Sequence, residues 1–170
     1  VNYWKHQNTG RPLMTVIARR PEVEALSDGT PQDGGYLGQI CQGNYYALPE
    51  ELKWKDMVDK YQDPERIVAR YRQFCETHAF LAESFPNLNI DFGPGSLASY
   101  LGSDIGFKED TVWFIPSPDY ETGWDGAPKL AFNPENEWLL KHLALAAKCR
   151  ELAGDDFFVD MPDLMENIDT

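Results

Sequence analysis

The sequence has 170 residues, 42% of them hydrophobic and 25% charged, which is typical of a globular domain with a hydrophobic core. The 15 lysines and arginines face 28 aspartates and glutamates, so the formal net charge is −13, and a field of this sign repels nucleic-acid phosphates and anionic lipids. This charge argues against nucleic-acid partners. No apolar run approaches the ~20 residues of a membrane span, so the sequence also argues against a membrane partner.

The first predicted element is a strand. Residues 12–18 form a short apolar run rich in β-branched side chains, and Arg19 and Arg20 follow it. The glycine-rich residues 28–44 predict a long loop, which in a compact domain is more often functional than idle. A helix is predicted to begin near Pro49, since proline and acidic residues favour the first turn.

A second helix is predicted directly after the first. Asp63 followed by Pro64 is a helix start signal, and apolar residues spaced three and four apart continue to Phe85. The next elements are a short strand over residues 88–92 and, after a Gly-Pro-Gly turn, a short helix over residues 96–101.

The last third of the chain repeats the alternation of strand and helix. Residues 111–115 form another extended run. Asn133 is the expected cap of a long helix, and Gly154 stands where its C-terminal stop belongs. Residues 156–160 then predict a strand, with a further short helix beginning after it.

The order of elements predicts parallel pairing of the strands at 12–18, 88–92 and 156–160, because each return to the same edge needs a crossover. Both a (β/α)₈ barrel and an open doubly wound sheet satisfy this pattern. Three parallel strands cannot close a barrel. An open fragment of this kind is expected to expose three side chains, Ile17, Ile90 and Val159.

Three segments decide between barrel and open sheet by their resemblance to a known family. Residues 89–107 (NIDFGPGSLASYLGSDIGF), 129–170 (KLAFNPENEWLLKHLALAAKCRELAGDDFFVDMPDLMENIDT) and 12–20 (PLMTVIARR) resemble the uroporphyrinogen decarboxylase superfamily, which includes corrinoid-linked methyltransferases. The resemblance implies an α/β fold of the (β/α)₈ TIM-barrel type, roughly twice this length. Residues 1–170 are then expected to form the N-terminal part of a single barrel domain, with about three barrel strands and no separate second domain.

Active sites of such barrels lie at the carboxyl ends of the strands. Asp91 interrupts an apolar strand at that position, and the resemblance implies that it is the catalytic residue, an acceptor for pyrrole N–H groups. Capping of the short helix that follows is the alternative role for Asp91. The expected substrate-binding residues are Arg19, Arg20, Asp160, Gly93 and Gly95.

Asp160 and the arginine pair also have alternative roles that involve no substrate. Asp160 stands before Met161 and Pro162, so it can equally cap the next helix. Arg19 and Arg20 can equally be solvent-exposed residues at the end of the first strand, with no role in binding. The choice between these roles is open from sequence.

The expected function is an enzyme that acts on a tetrapyrrole-linked substrate. Decarboxylases of the family carry an Arg-Gln-Ala-Gly-Arg stretch after the first strand, where this chain has ARRPEVEAL. Corrinoid-dependent methyl transfer is therefore favoured over uroporphyrinogen decarboxylation, with a non-catalytic barrel fragment or binding module as the other alternative. No cofactor is expected to bind this segment. The resemblance leaves open a corrinoid-protein partner, zinc in the second half of the barrel and a homodimer.

Cysteine and histidine positions do not predict a site of their own. Cys41, Cys75 and Cys149 are dispersed, which favours a reducing, cytoplasmic setting, and the last two fall on apolar helix faces. His78 and His142 also fall on apolar stripes, so we expect buried imidazoles with satisfied hydrogen bonds.

Overall fold

The computed structural model describes residues 12–21, 55–93, 95–108, 112–116 and 131–160, together with the single positions 5, 7, 10, 162 and 164. Within these residues the chain is a mixed α/β protein with small sheets, and no closed barrel forms. The strands are β1 (Thr15–Arg19), β2 (His78–Ala82), β3 (Asn87–Asn89), β4 (Asp104–Phe107), β5 (Val112–Ile115) and β6 (Phe158–Asp160). The helices are α1 (Met57–Gln62), α2 (Pro64–Thr77), α3 (Ser96–Tyr100) and α4 (Glu137–Ala153).

The described strands form three two-stranded sheets. β3 and β6 pair in parallel, with Asn89 opposite Asp160, which confirms the parallel relation predicted for the second and third strands. β1 pairs antiparallel with β2, so the prediction that the first strand is a parallel neighbour of the others is wrong. β4 and β5 form an antiparallel hairpin, of which the sequence predicts only β5.

The long helix predicted to reach Phe85 ends at Thr77 instead. His78 has an extended backbone, with φ −122° and ψ 150°, and residues 78–82 become β2. The Thr77 hydroxyl lies 2.9 Å from the Gln73 carbonyl and so satisfies an acceptor of the last turn. Pairing with β1 outweighs the helical spacing of the apolar side chains, because it satisfies the backbone groups of both strands at once.

Capping residues mark the helix ends. Asp63 accepts two backbone N–H groups of the first turn of α2, as predicted. α4 begins later than predicted, because Asn136 and not Asn133 caps its first turn. Gly154 ends α4 with a φ of +58°, a backbone conformation that glycine adopts without the steric cost of a Cβ atom.

Helices α2 and α4 pack together and bury one side of β3. Leu88, Ile90 and Phe92 point to this side and are at most 2% exposed. Each such side chain contributes about 1.5–3 kcal/mol when fully buried. The expectation that an open fragment exposes Ile90 is therefore wrong, and Ile17 and Val159 are also partly buried against the core.

Candidate functional site

The face of β3 that points away from the helices is polar. While the apolar side chains of residues 88–92 pack in the core, the alternate residues Asn87, Asn89 and Asp91 are only half-buried. Asp160 of β6 stands opposite Asn89 in the parallel register and so shares their face. We call these four residues, Asn87, Asn89, Asp91 and Asp160, the polar face. Parallel strands end at the same edge of a sheet, so the structure brings Asp91 and Asp160 to one edge.

The Asp91 carboxylate holds the turn that follows β3. Its Oδ1 accepts the backbone N–H of Gly93 at 2.8 Å. The short helix α3 begins at the N-cap Gly95, so this hydrogen bond caps the turn that leads into the helix. Burial, and secondly the charge of Asp91, raise the pKa of Tyr61 to about 12, so the field of this carboxylate reaches α1.

Asn87 and Asn89 lie beside Asp160 on the polar face. Asp160 Oδ2 accepts a hydrogen bond from Asn87 Nδ2 at 2.8 Å across the parallel pair. Among the described residues, the buried Oδ1 of Asn89 has no hydrogen-bond partner. Leaving a buried acceptor unsatisfied costs about 1–3 kcal/mol, and such groups call for a functional or structural explanation. The alternative role of Asp160, capping a following helix, falls on residues outside those described.

The two glycines after Asp91 bring the backbone close to β5. Gly93 has a φ of +107°, and a Cβ added there would lie 3.3 Å from Cβ of Val112. A Cβ added to Gly95 would overlap the Phe114 ring. The backbone at these two glycines therefore lies against the β4–β5 hairpin, which fixes the turn that Asp91 caps. Their expected role in substrate binding stays a prediction.

The arginine pair lies at the other end of α2. Arg20 is exposed, and its backbone N–H donates to the carbonyl of Thr77, the last residue of α2, at 2.9 Å. Asp91 instead lies near Tyr61, just before α2 begins. A helix of 14 residues is about 20 Å long. The backbone of Arg20 and Asp91 therefore lie near opposite ends of α2, and the side chain of Arg19 lies outside the described part of the chain.

A buried histidine lies directly behind Asp91. The His142 imidazole is 3% exposed, with Nε2 2.9 Å from the Ile90 carbonyl oxygen and Nδ1 2.5 Å from the Tyr100 hydroxyl. Because a carbonyl only accepts, Nε2 carries the proton, Nδ1 accepts, and the Tyr100 hydroxyl donates. Burial lowers the pKa of His142, while the Ile90 hydrogen bond and the charge of Asp91 act less strongly in the opposite direction.

Sequence analysis predicts some of these buried groups and misses others. Buried imidazoles at His78 and His142 are confirmed, and Cys149 is fully buried as predicted. Cys75 is half-buried in the core, and Cys41 lies outside the described residues. Nothing in the sequence singles out Tyr100, because its partner His142 is distant along the chain.

A cleft on the helix side of β3 does not reach the polar face. It has a volume of about 310 Å³ and opens between the start of α2 and the outer side of α4. Phe92 forms part of its wall, and this side chain points away from the face that carries Asp91. The other lining residues are Gln62, Pro64, Lys141, Ala144, Leu145 and Lys148.

Fold and site together define a mixed α/β protein with an acidic, amide-rich face at the edge of a parallel strand pair. In comparisons with known proteins, no family model, no curated protein and no solved structure matches this chain. The family resemblance drawn from the sequence therefore stays a prediction. Within the described residues, no helix is long and apolar enough to span a membrane.

Proposed function

We propose that this chain is part of a barrel enzyme of the uroporphyrinogen decarboxylase superfamily that transfers a methyl group between a corrinoid and a small acceptor. The observation that carries the proposal is the position of Asp91 on a polar face whose opposite side is buried by helices. In (β/α)₈ enzymes, the carboxyl edge of the parallel strands holds the active site. The resemblance of residues 89–107 and 129–170 to this superfamily supports the same function.

The β3–β6 pair supports the barrel part of the proposal. The strands are parallel, α4 leads into β6, and α4 packs on both β6 and α2. Within the described residues each strand of this sheet has a single partner, and an isolated pair of strands is at best marginally stable. Phe158 and Phe85 lie beside each other and are 66% and 58% exposed. Further barrel strands would pair with the open edges. Closure of the barrel would then cover the face on which Phe158 lies opposite Asn87.

The chemistry of the polar face favours a ligand that donates hydrogen bonds. Carboxylates and amide oxygens accept, so Asn89, Asp91 and Asp160 suit N–H donors. Both the amide groups around a corrin ring and the pyrrole N–H groups of a porphyrinogen are such donors. Uroporphyrinogen also brings eight carboxylates, which need cations nearby. Because Arg20 lies at the far end of α2 and the net charge is −13, charge favours the corrinoid.

The described residues do not fit a zinc site. Among them, no group of three or more His, Cys, Asp or Glu side chains is arranged to hold a metal ion. Both ring nitrogens of His142 are occupied by Tyr100 and Ile90, and Nδ1 of His78 lies 3.1 Å from the Phe74 carbonyl. The proposal therefore assigns these histidines to the fold and gives the chain the task of binding and orienting the macrocycle.

Asp91→Asn tests the proposed role of the carboxylate. The substitution removes the charge and keeps the size of the side chain. We expect kcat/KM for methyl transfer from methylcobalamin to fall by about 100-fold or more, as loss of a charged ligand contact does. The free energy of unfolding should change by less than about 1 kcal/mol. Absorbance of the corrinoid follows the reaction, and urea unfolding gives the stability.

Asp156→Asn is the matched control. Asp156 pairs with Arg72 at 2.9 Å and is well exposed, ahead of the amino end of β6, so its loss should leave turnover unchanged. If Asp91→Asn loses stability but keeps full activity per folded molecule, Asp91 serves only the turn. Turnover of uroporphyrinogen by the wild type, without methyl transfer, would identify the decarboxylase alternative. Turnover of neither compound would leave a non-catalytic binding module.

A further inference from the structure

The hydrogen bonds of His142 converge on the backbone next to Asp91. Nε2 donates to the carbonyl of Ile90, and the peptide bond of this carbonyl leads directly into Asp91. The Tyr100 hydroxyl donates to Nδ1 of the same ring. One imidazole therefore connects α4, α3 and the end of β3, three elements that are separate in sequence.

We propose that His142 and Tyr100 form a clamp that positions the Asp91 carboxylate. His142 holds the peptide between Ile90 and Asp91, and Tyr100 holds the His142 ring in place through a hydrogen bond to Nδ1. Both side chains are buried, at 3% and 9% exposure, so they act through the backbone and do not touch a substrate. They are positioning residues. Their effect on turnover rests on the proposed function, whereas their effect on the place of Asp91 does not.

The clamp requires one tautomer of His142, the one with the proton on Nε2. With the proton on Nδ1 instead, Nε2 would direct a lone pair at the Ile90 carbonyl, and the strand end would be repelled. The Ile90 carbonyl therefore fixes the proton on Nε2, and the buried Tyr100 hydroxyl satisfies the lone pair left on Nδ1 by donating to it at 2.5 Å. The Phe92 ring, whose centroid lies 4.8 Å from that of His142, limits rotation of the imidazole.

A second hydrogen bond completes the placement of the carboxylate. Asp91 Oδ1 accepts the N–H of Gly93 at 2.8 Å, on the other side of the residue from the Ile90 carbonyl. The clamp fixes the backbone before Asp91, and this bond fixes the side chain against the backbone after it. The amide resonance of Gly93 therefore reports the place of the carboxylate without any substrate.

The test uses the full chain, labelled with ¹⁵N, with the variants Tyr100→Phe and His142→Gln. We expect the wild-type ring to show a neutral imidazole protonated at Nε2, and the Gly93 amide resonance to move in both variants. His78→Gln is the matched control, because His78 is equally buried, at 4% exposure, but stacks on Phe74 of α2. It should leave the Gly93 resonance in place.

Turnover provides the second measurement. We expect Tyr100→Phe to lower kcat by about 10- to 100-fold with little change in KM, as a misplaced catalytic group does. A Gly93 resonance that stays in place in Tyr100→Phe overturns the clamp. If His142→Gln does not fold, the conservative variant Tyr100→Phe is sufficient to test the clamp. A shifted resonance with unchanged kcat overturns the positioning role. If Asp91→Asn keeps full turnover, the proposed catalytic role of Asp91 fails, while the resonance still decides whether the clamp exists.

Discussion

Burial controls the chemistry of the two cysteines in the described residues. Desolvation raises the pKa of Cys149 to about 12 and that of Cys75 to about 11. The thiolate is the reactive form of cysteine, so both thiols are expected to be inert near neutral pH. Cys149 is also closed to solvent, at 0% exposure.

Thiol alkylation checks this expectation. In the native chain, iodoacetamide at neutral pH should leave Cys149 unmodified and modify Cys75 only slowly, whereas both should react in urea. Mass spectrometry of the peptides that carry each residue measures the modified fraction. Fast native alkylation of Cys149 would show that α2 and α4 do not pack as described.

The candidate site is only partly predictable from single residues. Asp91 can be found from sequence, because a carboxylate that interrupts an apolar strand just before a Gly-Pro-Gly turn indicates a functional or capping role. The clamp behind it cannot, because Tyr100 and Ile90 are 42 and 52 positions from His142. Sequence spacing carries no information about contacts of this range. Arg20 is predicted at the same rim as Asp91 only on the assumption that β1 is a parallel neighbour of β3, and β1 pairs with β2 instead.

Contact between the turn after β3 and the β4–β5 hairpin depends on Gly95. Because an added Cβ would overlap the Phe114 ring, Gly95→Ala forces the ring or the turn to move. We expect the free energy of unfolding to fall by about 1–3 kcal/mol, the usual cost of overpacking. Urea unfolding of the variant measures it.

The double variant Gly95→Ala with Phe114→Leu provides the control for that contact. A smaller side chain at residue 114 leaves room for the new methyl group, so the two substitutions should cost less together than the sum of their separate effects. Strictly additive costs would show that the ring does not limit the turn.

Helix starts are more predictable than helix ends in this chain. Asp63 is identified from sequence because its cap hydrogen bonds are local. The end of α2 at Thr77 is not, since residues 78–82 keep apolar spacing that fits a helix as well as a strand. Only the long-range partner β1 decides between the two.

The molecule as a whole is expected to lose stability in mild acid because of His142. Burial lowers the pKa of this imidazole from its ordinary value of 6.5, so the unfolded chain binds a proton first as the pH falls. The free energy of unfolding should therefore be highest above about pH 6.5 and should decrease as the pH falls towards the lowered pKa. Asp91 and Tyr100 are the ionisable groups that face the imidazole.

Urea unfolding between about pH 7.5 and 5.5 measures this effect, with His142→Gln as the comparison, because ordinary carboxylic acids titrate mainly below this range. The variant lacks the imidazole and should show a flatter dependence on pH than the wild type. The net charge of −13 acts in the opposite direction, since protonating carboxylates relieves self-repulsion at lower pH. This second effect is common to both proteins and cancels in their difference. Parallel curves for the two proteins would mean that His142 is not held neutral by burial, and the tautomer on which the clamp depends would lose its physical basis.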